Sequence, residues 1–214
     1  MLNLHPHAHR TKMIDASQLL KLYDSGERDF SRVNLQQAHL REANLSEAKL
    51  WRTNLAGINF SCAILRRANL SQANLSKATM WRADFQQAIV VEANLMSAML
   101  IRANFFQGKL KRSDFSNADM RLIRLERADL RGANLSRANL SYADLRLADL
   151  TGANLSNAVL TGAKLAQTNL SNTNLEGTIF ERVDLSQTTL PHVSIGDIGL
   201  IANEANKMGN YQLN

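Results

Sequence analysis

The sequence predicts an all-β solenoid, and three observations carry that prediction. From Phe30 to Leu190 every fifth residue is apolar, 33 times in succession without a phase slip, and 24 of these centres are Leu while the others are Phe, Met or Val. Two residues before the centre, 21 of the 33 positions are Ala. The residue directly before the centre is Asn or Asp in 21 of 33, and the two after it are mostly polar. The stretch ADLRGANLSRANLSYADLRLADL at 128–150 shows the pattern at its cleanest.

A helix cannot use such a repeat. At about 100° per residue, centres five apart advance by about 140° net, so the Leu side chains would spiral over the whole surface. Asn, Asp and Ser are also poor residues for helix interiors. A flat strand fails because a period of five alternates faces. A coil with five-residue sides works: each side turns its centre and its small residue inward and bends at the polar pair. Successive coils then stack at the spacing of sheet strands. Asn and Asp beside each bend are expected to bond the turn backbone, a structural rather than a catalytic or metal-binding task.

The number of sides per coil is less plain. Residues 34, 54, 74, 94, 114, 134, 154 and 174 are all Asn except Asp114, which suggests a column with a period of 20. A period of 25 also yields a clean Asn/Asp set, from Asn44 to Asn169.

The A(N/D)LXX pattern, as in AlaAsnLeuSerArg at 133–137, resembles the pentapeptide-repeat proteins over residues 28–192. That resemblance implies a right-handed quadrilateral β-helix with four pentapeptides per coil, hence about eight coils and a rod roughly 40 Å long at strand spacing. The chain entry LLKLYDSGERDFSRVNL at 19–35 is similar to cyanobacterial members of the family. Some of these are implicated in regulating cell differentiation or stress responses, and some relatives dimerise end to end, so a monomer or an end-to-end homodimer is expected.

A solenoid must cover its exposed core at both ends. The expected organisation is a flexible N-terminal tail over 1–12, a capping helix within 13–27, the repeats over 28–192, and a C-terminal cap and tail over 193–214. Asp15 or Ser17 would cap the helix and Gly26 would end it, with Met13, Leu19, Leu20 and Tyr23 over the first coil. Ile195, Ile198, Leu200 and Ile201 would close the last coil, with a short helix from Asp197 to Met208.

Composition narrows the function. The single cysteine, Cys62, allows no intrachain disulfide and fits a reducing, cytoplasmic setting. No apolar run reaches membrane-spanning length, and MLNLHPHAHR lacks the apolar core of a secretory signal. Three of the five histidines, His5, His7 and His9, sit in that N-terminal stretch, which reads as tail rather than metal site. No nucleophile–base spacing, Gly-rich phosphate loop or dinucleotide fingerprint occurs, so no catalysis, metal or cofactor is expected. The net charge is +6. It argues against the strongly negative rod by which some pentapeptide-repeat proteins mimic duplex DNA and engage gyrase. It leaves open weak nucleic-acid binding by a basic wall, seen in Arg102, Lys109, Lys111, Arg112, Arg121, Arg124, Arg127, Arg131, Arg137 and Arg146.

The remaining reading is a non-catalytic scaffold that binds an unknown protein partner through its outer wall. Outward positions that break the polar rule mark the candidate site. In the coil covering 89–107 these are Ile89, Val91, Met96, Met99, Ile101 and Phe106, an apolar girdle. The coil covering 129–147 has only Tyr142 and Leu147. Trp81 should stack under Ile101 twenty residues on, with Arg82, Arg102 and Arg121 lining the neighbouring column as a basic rim.

Overall fold

The structure, a computed structural model, describes residues 14–190. The expected N-terminal tail, Met13, and the closure by Ile195, Ile198, Leu200, Ile201 and a helix at 197–208 lie outside the described residues. From Asp29 to Asn169, every residue that precedes a centre, Lys164 excepted, pairs in parallel with the residue twenty positions later. One coil is therefore twenty residues and four pentapeptides, which excludes the period of 25. We number the sides by their bridging columns: the first starts at Asp29, the second at Asn34, the third at His39 and the fourth at Asn44.

A pentapeptide with Asn or Asp before its centre uses all five backbone N–H groups. In 68–72, Ala68 bonds Leu65 O across the turn, and Asn69, Leu70 and Gln72 bond Ala48 O, Ile89 O and Val91 O in the coils on either side. The fifth donor, Ser71 N–H, goes to the Asn69 side chain at 3.0 Å. The same bond recurs from Ser61 to Asn59, Met96 to Asn94 and Ser136 to Asn134. This is the physical reason for Asn or Asp before each centre: its side-chain oxygen receives the one N–H that the coil-to-coil ladder misses.

The second turn residue adopts a left-handed conformation, with φ between 54° and 62° for every non-glycine residue that does so in the coils, Leu122 and Tyr142 included. Gly57, Gly132, Gly152, Gly162 and Gly177 share this slot, but most of its residues carry side chains, although a left-handed L-residue is disfavoured by about 1–2 kcal/mol. The bond most of them make to the next coil, as Arg32 N–H makes to Trp51 O at 2.9 Å, helps to offset that strain.

The centres fill the interior as expected. Those from Phe30 to Leu185 are buried, and Leu190 is partly so. Phe85 and Phe105, one coil apart, stack with ring centroids 4.6 Å apart. Where Thr or Ser replaces Ala in the small slot, its hydroxyl donates to a centre carbonyl of the preceding coil, as Thr53 does to Phe30 O and Thr173 to Leu150 O. A buried hydroxyl is thereby satisfied.

Helix α1 runs Ala16–Asp24, inside the expected 13–27 and shorter than it. Asp15, not Ser17, is its N-cap and forms a capping box with Gln18. Ser25 is the C-cap, and Gly26 follows at φ 100°. Leu19 is fully buried in the same core as Phe30 and Leu50, and Leu20 and Tyr23 pack against it. The Tyr23 hydroxyl donates to Ser46 O at 2.9 Å, and the Arg28 guanidinium lies 3.8 Å over the Tyr23 ring. Among the described residues no helix is long and apolar enough to cross a membrane.

Candidate functional site

The interior is filled, so chemistry is confined to the wall. Among the described residues, shallow clefts indent it. One, of 380 Å³, lies beside Arg146, Lys164, Arg182 and Asp184, where the fourth-side ladder stops; another, of 360 Å³, is bounded by Glu47, Arg66, Arg67 and Gln86. Among the described residues, no three His, Cys, Asp or Glu side chains gather as a metal site would require.

Charge is unevenly placed. The fourth and first sides with the corner between them carry equal numbers of cations and anions. The positive excess sits on two diagonally opposite corners. The first–second corner holds Arg32, Arg52, Lys111, Arg112 and Arg131 against Glu92. The third–fourth corner holds Arg41, Arg82, Arg102, Arg121 and Arg182 against Glu42 and Glu181. Each tryptophan lies on one of these corners. Trp51 has Arg32 and Arg52 over its ring at 4.6 and 4.5 Å, and Trp81 has Arg82 at 5.2 Å, within cation–π range.

The girdle does not form one surface. Ile89 lies on the first side, Val91 on the first–second corner, Met96 on the second–third corner, Met99 on the third side, Ile101 on the third–fourth corner and Phe106 on the fourth–first corner. Ile89 and Val91 adjoin at one corner and Met99 and Ile101 at the diagonally opposite one, while Met96 and Phe106 each stand on a further corner. Trp81 and Ile101 do share a column, as the bonds Cys62 N–H to Trp81 O and Arg82 N–H to Ile101 O show. Arg82 and Arg102 occupy the column beside them. Arg121 does not, because twenty-residue coils put it in the same column as Trp81 and Ile101, directly after Ile101.

The corner gains Leu122 and also Tyr142, which the sequence marks as an outward exception without placing it in the site. Leu122 and Tyr142 continue the Arg82–Arg102 column, 41% and 54% exposed. The Tyr142 ring lies over Gly162, where an added Cβ would come within 2.7 Å of the ring carbons, so the glycine makes the seat for the ring. Met99 is 45% exposed beside Ile101. Trp81, Met99, Ile101, Leu122 and Tyr142 thus gather along one corner, with Arg82 and Arg102 exposed at its edge.

The acids beside Trp81 and Ile101 are already engaged. Asp84 takes Arg66 Nε at 2.6 Å and the Asn104 amide at 3.0 Å. Asp119 takes Arg121 through Nε at 2.8 Å and Nη2 at 2.7 Å, and its Oδ1 also receives Arg121 N–H. The Arg121 bond holds the Asp119 carboxyl below the usual carboxylate range, and Arg131 does the same for Asp129. A carboxyl whose folded pKa is depressed adds stability above its unfolded value, near 3.9, and that stability is lost as pH falls through the folded value. Thermal stability is expected to be level above about pH 5 and to fall only in the acid limb below about pH 4. An Arg121→Gln, Arg131→Gln variant should lower the plateau and flatten that acid limb in a series of melting curves, because the folded carboxyls then titrate closer to their unfolded values.

A comparison with curated proteins finds no match. Among solved structures, HetL from the cyanobacterium Nostoc sp. strain PCC 7120, a pentapeptide repeat protein involved in heterocyst differentiation regulation, is 27% identical, with 85% of this chain and 99% of that one covered at a TM-score of 0.46. Rfr23 from the cyanobacterium Cyanothece 51142 is 28% identical, with 81% and 97% covered at a TM-score of 0.26. QnrB1, a plasmid-mediated fluoroquinolone resistance protein, is 16% identical, with 77% and 84% covered at a TM-score of 0.71, a likeness of fold. The family profile for pentapeptide repeats matches in eight copies, over residues 29–61, 43–82, 63–100, 82–117, 118–157 and 153–190. Repeat, coil and profile agree, and the chain belongs to the pentapeptide-repeat family.

Proposed function

We propose that this protein is a non-catalytic interaction scaffold: a right-handed quadrilateral β-helix of about eight coils, acting in the cytoplasm, that presents its third–fourth corner to a protein partner. The observation that carries the reading is the gathering of Trp81, Met99, Ile101, Leu122 and Tyr142 on one corner, edged by Arg82 and Arg102. The buried scaffold does not need these outward apolar groups. Trp, Tyr and Arg are the residues that most often dominate binding energy at interfaces. A nucleic-acid role has weaker support. Many of the wall's arginines are tied to its own acids, as in Arg112–Glu92, Arg131–Asp129 and Arg146–Asp144, and the basic column is interrupted by Leu122, Tyr142 and Gly162.

The test is a Trp81→Ser, Ile101→Ser variant used as bait beside the wild type. Both side chains point outward, so the melting temperature is expected to stay within a few degrees, since surface changes are usually worth under about 0.5 kcal/mol. The partner captured by the wild type should be lost. Retention of the full set of partners would place the docking surface elsewhere.

A further inference from the structure

The same corner departs from the wall in its backbone. In most repeats the N–H after the centre donates to the Asn or Asp side chain two residues earlier. At positions 79 and 99 that residue is Thr79 and Met99. Neither Trp81 N–H nor Ile101 N–H therefore finds an acceptor among the described residues. The two free donors follow one another in one column, a coil apart, roughly 4.8 Å. Each is flanked by the exposed guanidinium of the next residue, Arg82 or Arg102.

The wall also shows what fills such a position. At Asp119–Arg121, Asp129–Arg131 and Asp144–Arg146 one carboxylate receives both the corner N–H and an arginine, with the guanidinium bonds at 2.7–2.8 Å. At Trp81 and Ile101 the donor and the arginine are present and the carboxylate is missing. The arginine here comes from the second turn residue rather than the first. Other stacked corners without Asn or Asp differ in charge. Val91 and Lys111 lie beside the Glu92–Arg112 ion pair, and Thr161 and Glu181 bring an acid of their own.

We propose that a partner supplies the missing acids: the Trp81 and Ile101 corners bind two carboxylates of an acidic protein segment, each taking one backbone N–H and one guanidinium, while an apolar side chain between them rests on Met99 and Ile101. The inference rests on the docking corner proposed above and adds the chemistry of the partner. The spacing suits acids at i and i+4 of a helix, whose Cβ atoms are about 5–6 Å apart. A second copy of this chain fits poorly, because it would bring the same arginines to the contact.

The probe is a sixteen-residue alanine-based helical peptide with Glu at i and i+4 around a Leu, compared with peptides carrying Gln or Lys at those two positions. Titration into uniformly ¹⁵N-labelled full-length protein is read at the Trp81 and Ile101 backbone amides, with inorganic phosphate and a duplex DNA oligomer as parallel arms. The Glu peptide should shift both amides, with the Gln peptide at least tenfold weaker and the Lys peptide inert. In Thr79→Asn, Met99→Asn the wall's own amides take both donors. That variant restores the common repeat, so it should fold normally and bind the Glu peptide at least tenfold more weakly. An Arg82→Glu, Arg102→Glu variant should instead prefer the Lys peptide. Unchanged binding by the Asn variant, equal binding of the Gln peptide, failure of the Glu peptide to shift these amides, or tighter binding of phosphate or DNA would each overturn the proposal. If the Trp81→Ser, Ile101→Ser variant loses its captured partner while the Asn variant keeps it, the corner stands as the docking surface and the carboxylate chemistry fails.

Discussion

Leu135→Asp should abolish the cooperative fold at ordinary temperatures. Leu135 is a centre with no exposed surface, in the middle of the column of coils. Replacing it removes about 1.5–3 kcal/mol of apolar burial and leaves an unpaired carboxylate where several more kcal/mol are needed to desolvate it. Set against a typical total of about 5–15 kcal/mol, the two losses together are decisive. The inward backbone offers no rescue, because the neighbouring N–H groups of Asn134, Leu135 and Arg137 already bond Ser113 O, Asn154 O and Ser156 O. Circular dichroism and a thermal melt measure the outcome. Leu135→Ala is the graded control, expected to cost about 2–5 kcal/mol and to remain folded. A Leu135→Asp protein that keeps its wild-type melting temperature would mean that the centres do not face inward.

Removal of residues 1–26 should convert a dispersed protein into one that associates through its first coil. Leu19 is fully buried against a core that includes Phe30, Leu35 and Leu50, and the helix is fixed there by the Tyr23 hydroxyl on Ser46 O. Without it, these apolar groups and the first-coil backbone face water together, the condition that makes an uncovered edge template further pairing. Sedimentation at several concentrations should show growth into dimers and larger species, and Leu19→Asp in the full chain should reproduce it in milder form. A truncated protein that sediments as one unchanged species with an unchanged melt would show that α1 does not act as the cap.

The centres, small slots and polar bends were legible because burial allows them only one arrangement. Leu130, Leu135 and Leu140 can all be inside only if each five-residue side turns a corner. The coil length was half legible: the Asn34–Asn174 column suggested twenty, but a column of like residues also forms at 25, and the bridges from Asp29 to Lys49 onward decide it. The left-handed turn residues were mostly hidden: Gly57, Gly132, Gly152, Gly162 and Gly177 hint at them, but Arg, Gln, Leu and Tyr stand in the same slot elsewhere. The proposed docking corner was half hidden for a geometric reason. Ile89, Val91, Met96 and Phe106 are close to Ile101 in the chain and point around the rod, whereas Leu122 and Tyr142 are distant in the chain and share its corner. Thr79 and Met99 were visible as departures from Asn, but their meaning needed the knowledge that Asn receives a backbone N–H.

The twenty-residue coil also acts as a protractor. Each pentapeptide is one side, so its place in the chain fixes the compass direction in which its outward residues point. Inserting a single five-residue unit ahead of Trp81 would leave every local bond type intact and turn the Trp81–Ile101 corner a quarter revolution relative to α1. Four units would restore the bearing and lengthen the rod by one coil, roughly 4.8 Å. In such a chain the length of an insertion, counted in fives, determines whether two surface features share a face or look away from one another. Duplication can therefore re-aim a binding surface without touching its residues.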